Sequence, residues 1–173
     1  MKTKVAVVVA AAVIAWGLKR HYAQASADDL IWVLAPTAQL AGIVTGTTFT
    51  MIPGEGYLSR ERLFLIEKSC AGVNFIIAAF GMLTLARLPH ARWPLAAARQ
   101  LAISLSAAYG AAVVVNAARI AIAMWLADHP VAMLTPDDVH RVEGIVVYFG
   151  GLLLLYEVML WLDSRSRSPL TTP

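Results

Sequence analysis

The chain contains a single cysteine, Cys70, so no disulfide can close within it and any thiol chemistry rests on that residue alone. Charge is also scarce: Asp, Glu, Lys and Arg make up 14% of the chain, against about 25% in an average soluble domain. The net charge of +3 is scattered, with no basic cluster interleaved with aromatics, which argues against nucleic acid as a partner. No Cys-x-x-Cys or His-Glu-x-x-His spacing occurs, so a metal site drawn from Cys70, His140 and His129 lacks a recognisable layout, and no metal or other cofactor is expected. No internal repeat is evident.

What the chain does have is apolar length. Hydrophobic residues make up 59% of its 173 positions, beyond the soluble range of about 45–50%. This composition predicts an all-α integral membrane protein, a bundle of about five transmembrane helices of roughly 20 residues each. Residues 1–163 form the multi-pass membrane domain in this reading, and the Ser/Thr/Pro-rich 164–173 is a disordered tail.

In order, a basic start precedes the run Val5 to Leu18, which ends at Lys19-Arg20-His21. With Ala23-Gln24-Ala25 after it, this resembles a secretory signal, but the Lys19-Arg20 pair suits a cleavage site poorly, and a retained helix is the expectation. Asp28-Asp29 mark a helix start before a second segment, Leu30 to about Phe49. Met51 to Ser69 reads as a polar loop containing a short amphipathic piece, with Pro53-Gly54-Glu55-Gly56 as a turn. The third segment runs from Cys70 to about Leu88 and the fourth from Leu95 to Ala127. The fourth is longer than a bilayer requires, so it must tilt, bend or protrude. The fifth, Gly144 to about Leu162, follows a helix start at Thr135-Pro136-Asp137-Asp138.

Polar residues within such segments are costly and therefore informative. Cys70 sits where a charged loop meets an apolar segment. There a thiol is accessible and feels the positive end of a helix dipole, although a lone cysteine is most often an inert packing residue. Arg119 lies in apolar surroundings, where a charge is either snorkelling to headgroups or part of a functional site. Asn116, three residues earlier on the same face, either orients Arg119 or makes an interhelical hydrogen bond. His140 and Gly144, four apart, share a face of the last helix, with the glycine leaving space beside the imidazole for a neighbouring helix or a substrate. Five spans in series put the start of the third, the end of the fourth and the start of the fifth on one membrane face, so Cys70, Arg119 and His140 are cofacial. Charge counting does not orient that face: six Lys/Arg (Lys2, Lys4, Arg60, Arg62, Lys68, Arg141) lie on it and seven (Lys19, Arg20, Arg87, Arg92, Arg99, Arg165, Arg167) lie opposite.

Three blocks, Cys70-Ala71-Gly72-Val73, Asn116-Ala117-Ala118-Arg119-Ile120 and His140-Arg141-Val142-Glu143-Gly144, resemble in order the cysteine, Asn-x-x-Arg and His-x-x-x-Gly boxes of the exosortase/archaeosortase family. The resemblance covers roughly residues 67–162 and is nearest to the short form called exosortase K. It implies a membrane cysteine transpeptidase that cleaves C-terminal sorting signals of exported proteins, each a short motif, a membrane helix and a basic tail. The implied catalytic residues are Cys70, Arg119 and His140, supported by Asn116 and Gly144, in the plasma membrane with the site outside the cytoplasm. The acceptor is left open. An intramembrane protease that only hydrolyses, and a non-enzymatic assembly or transport subunit, are the competing readings.

Overall fold

The computed structural model describes residues 2–90, 94–129 and 136–165. Residues 91–93 between the third and fourth segments, most of the connection before His140 and the tail from 166 lie outside the described residues. Among the described residues there are five α-helices: α1 (Lys2–Gln24), α2 (Ile31–Thr45), α3 (Val73–Arg87), α4 (Pro94–Asp128) and α5 (Pro136–Arg165). Among these residues three stretches are long and apolar enough to cross a membrane: Lys68–Arg87, Pro94–Asp128 and Arg141–Arg165. The protein is an all-α membrane protein whose outer surface carries large apolar side chains, among them Ile145, Val146, Phe149 and Leu154, each more than half exposed. Such a surface suits lipid, not water.

Inside, the helices meet through small residues. Ala79, Ala108, Ala112 and Ala117 are fully or almost fully buried, which lets backbones approach where no hydrophobic driving force separates helix from lipid. Gly151 on α5 shows how close the approach is: a Cβ there would lie 2.7 Å from Val115 Cγ2 and 3.3 Å from Phe75. α4 is one uninterrupted helix of 35 residues, about 52 Å long, so it overshoots a bilayer by protrusion or tilt.

Two expectations change. Residues 50–66 are not a loop with an amphipathic piece but a three-stranded antiparallel meander, β1 (Thr50–Ile52), β2 (Gly56–Ser59) and β3 (Phe64–Ile66). Tyr57 pairs with Met51 on one side and Ile66 on the other. Its first turn uses Gly54 and Gly56, both at positive φ, and a side chain on Gly56 would strike the Ile66 carbonyl. Strands of three and four residues fall below the length at which alternation is readable.

The second change concerns α1 and α2. In serial alternation the N-terminus shares the Cys70 side and Lys19-Arg20 lies opposite; the packing reverses both. Lys19 Nζ donates to Asn74 Oδ1 (2.8 Å), and Lys68 Nζ donates to the Ala23 carbonyl (3.3 Å). Val7 instead packs with Ala97 and Leu88 at the other end of α3. α1 is thus antiparallel to α3, and its C-terminal end stands beside the Cys70 turn. The chain does not fold back along α1, because Ser26 and Asp29 start a new helix. The Ser26 amide and hydroxyl donate to Asp29 Oδ2 (2.9 and 2.8 Å), and the Asp29 amide donates to Ser26 Oγ (3.3 Å). These bonds hold the Asp29 carboxyl below its ordinary pKa. α2 then packs on α4, with Trp32 stacked on Tyr109 (5.9 Å), and at fifteen residues, about 22 Å, it is shorter than the span expected for 30–49. Exchanging Lys2 and Lys4 for Lys19 and Arg20 leaves the charge tally as it stood.

This arrangement predicts an outcome for single cysteines placed in a Cys70→Ser background. A membrane-impermeant thiol reagent should reach Glu55→Cys from one side, and Thr3→Cys and Pro89→Cys from the other. Labelling of Thr3→Cys and Glu55→Cys from the same side would reverse the α1 assignment.

Candidate active site

Cys70 is not the first residue of α3, as the sequence suggests, but lies in a 3-10 turn, Lys68–Ala71, ahead of it. The turn is closed by the Cys70 amide donating to the Glu67 carbonyl (2.9 Å). Gly72 follows in the left-handed conformation (φ +65°), and α3 begins at Val73, its first bond running from the Ile76 amide to the Gly72 carbonyl (3.1 Å). Glycine suits this position because of that φ, and its Cα faces the Asn116 side chain. The thiol is half-buried and free, with Ser69 Oγ 3.8 Å from Sγ. Ser69 Oγ is itself tied to Glu67 Oε1 (2.7 Å).

α4 brings the second block to this turn. Asn116, 1% exposed, donates through Nδ2 to the Cys70 carbonyl. Its Oδ1 accepts from the Tyr148 hydroxyl on α5 (2.9 Å), and that hydroxyl accepts from Arg119 Nη1 (3.3 Å). Asn116 therefore bonds across to α5, and Arg119 is linked to it through the Tyr148 hydroxyl. The Arg119 guanidinium lies over the Tyr148 ring (5.2 Å to its centre), and Arg119 Nε is 3.6 Å from Glu143 Oε2. Both partners of this ion pair are nearly buried, with side chains 11% and 4% exposed. Breaking one side of such a pair strands a charge in a poorly solvating environment.

Gly144 lies against the neighbouring helix, α4. The group beside it is Arg119, whose Nε would be 3.4 Å from a Cβ at this position, with the guanidinium between α4 and α5. His140 lies on α5 one turn before Glu143, at the same end of the bundle as Cys70; its side chain is outside the described residues. His129 is stacked on Trp125 (4.7 Å), with its Nδ1 donating to the Trp125 carbonyl (2.9 Å). A Gly144→Ala methyl would meet Arg119 at ordinary van der Waals distance, so the guanidinium should keep its place. A reporter assay should show activity within about threefold of wild type at normal membrane levels, as for a change that strands no group; a loss of about tenfold or more would mean that the packing of α4 on α5 does not admit the methyl.

Sequence reasoning missed Gly72, Glu143 and Tyr148. A signal for Tyr148 was present, since positions 140, 144 and 148 repeat every four residues along one helix face. Glu143 was legible as a second charge of opposite sign to Arg119 in apolar surroundings.

The fold and site define a polytopic membrane protein with a cysteine turn held against a buried Asn/Tyr/Arg/Glu network. The chain belongs to the transmembrane exosortase family, whose model (Exosortase_EpsH) matches residues 42–157 and so takes in all three blocks. No curated protein and no solved structure matches the chain.

Proposed function

We propose that the protein is a membrane cysteine transpeptidase that removes C-terminal sorting signals from exported proteins through a thioester on Cys70, and that it is nearest to the short form, exosortase K. The observation that carries the reading is the continuous connection from the Cys70 carbonyl through Asn116 and Tyr148 to Arg119, which joins two of the three family blocks at one end of the bundle. Membership of the transmembrane exosortase family supports a peptidase or transpeptidase reaction.

In this reading the Cys70 thiolate, the nucleophilic form of a cysteine, attacks the carbonyl carbon of the scissile peptide. The carbonyl π electrons move to oxygen, and the Arg119 guanidinium faces that oxyanion, an effect worth a few kcal/mol in a partly dry site. The C–N bond then breaks. His140 gives its proton to the departing amine, leaving a thioester on Cys70 and the membrane helix with its basic tail as the first product. An acceptor nucleophile then loses a proton to His140 and attacks the thioester carbonyl, and the C–S bond breaks to release the Cys70 thiolate beside the reprotonated imidazole. Imidazole suits both transfers because its ordinary pKa lies near 6.5. The site faces outside the cytoplasm of the plasma membrane, where an exported substrate presents its signal.

Co-expression with a tagged reporter ending in motif, membrane helix and basic tail tests this. A shortened reporter whose new C-terminus carries an added amine supports transfer; a free carboxylate makes the enzyme a hydrolase. No shortening in the presence of the family's own type of signal would leave only a non-enzymatic membrane role.

A further inference from the structure

The polarity of the hydrogen-bond chain at the site is fixed by one group. The Cys70 carbonyl can only accept, so the atom of Asn116 that faces it must be the amide nitrogen. The other amide atom, Oδ1, also can only accept, so the Tyr148 hydroxyl beside it must donate. The single proton of Tyr148 is thereby committed to Asn116, and its lone pairs are left to accept from Arg119 Nη1, the one direction that a guanidinium can serve. The Tyr148 ring is itself fixed, with Phe75 of α3 tilted against it at 5.7 Å and the guanidinium over its face. One phenol thus reads the position of the Cys70 turn on one side and of Arg119 on the other.

We infer that Tyr148 is a positioning residue that sets the Arg119 fork in register with the Cys70 turn. The inference rests on the acyl-transfer reading above and adds a residue outside the three family blocks. Glu143 holds Arg119 from the Nε edge at 3.6 Å, and Tyr148 adds a directional constraint at Nη1. Two constraints on different edges fix the plane of a guanidinium, and a group that must face a developing oxyanion depends on that plane.

The test is Tyr148→Phe, which keeps the ring, the Phe75 contact and the face under the guanidinium but removes both hydrogen bonds. Single-turnover assays on membranes with the tagged reporter should show acyl-enzyme formation slowed about 10- to 100-fold, the range for a misplaced reacting group, with the substrate concentration at half-saturation changed less than about threefold. In an Arg119→Lys background the same change should cost less than about threefold more, because Tyr148 acts through the fork already lost. Where Tyr148→Phe fails to insert, Asn116→Ala breaks the same chain one link on and should give the same split between turnover and half-saturation. Wild-type turnover in an inserted Tyr148→Phe, a change confined to half-saturation, or losses that multiply with Arg119→Lys would each overturn the positioning role. Cys70→Ala run in parallel keeps the two levels apart. If it still processes the reporter, the acyl-transfer reading falls; if it is inactive while Tyr148→Phe is fully active, only the role of Tyr148 falls.

Discussion

Replacing Cys70 by alanine should reduce processing to background while leaving expression and membrane insertion intact. The reason is that the side chain is chemically singular and structurally modest. The turn that holds it is closed by backbone: the Cys70 amide bonds the Glu67 carbonyl, and the Cys70 carbonyl accepts from Asn116. Neither bond uses sulfur. Loss of one half-buried sulfur should cost about 1 kcal/mol of stability, the centre of the range for point changes. Its loss from the reaction removes the only thiol in the chain. A normally inserted Cys70→Ala protein that still shortens the reporter would make Cys70 a packing residue.

The second large effect is expected at Arg119. Lysine keeps the charge but not the planar fork, and the neighbours of Arg119 are arranged around a fork: Glu143 at Nε, the Tyr148 hydroxyl at Nη1 and the Tyr148 ring beneath. An ammonium cannot meet these partners together. Arg119→Lys should therefore lose about 10²-fold or more in acyl-enzyme formation, comparable to removal of one oxyanion donor. Snorkelling would predict free substitution by lysine. Near-normal processing by a stably inserted Arg119→Lys would remove the residue from the reacting set.

How much of this was legible in the chain differs by element. The cofacial placement of Cys70 and Arg119 followed from the order of the last three apolar segments, and it survives the reversal of α1 because that reversal occurs upstream of both. The reversal itself was hidden in Ser26-Ala27-Asp28-Asp29, where the carboxylates were read as a helix start but the reciprocal partner, Ser26, was not. The small sheet was invisible because its strands are too short for a period, and because Leu63, a non-glycine at φ +50°, turns the chain where no turn residue announces it. Gly144 was read as leaving space for a neighbouring helix or a substrate, but which group lies against it depends on the rotation of α4 against α5, which spacing along one helix does not contain. Tyr148 and Glu143 lie on that same interface. They became readable as site residues only once Arg119 was seen between the two helices.

The most direct measurement of the central claim is mass spectrometry of the Cys70 peptide from acid-quenched membranes turning over the tagged reporter. The account predicts a Cys70 peptide heavier by the acyl portion of the cleaved reporter, in a linkage released by hydroxylamine as a thioester is, and absent from Cys70→Ala. Complete processing with Cys70 unmodified at every quench time, or an acyl adduct on another residue, would contradict it.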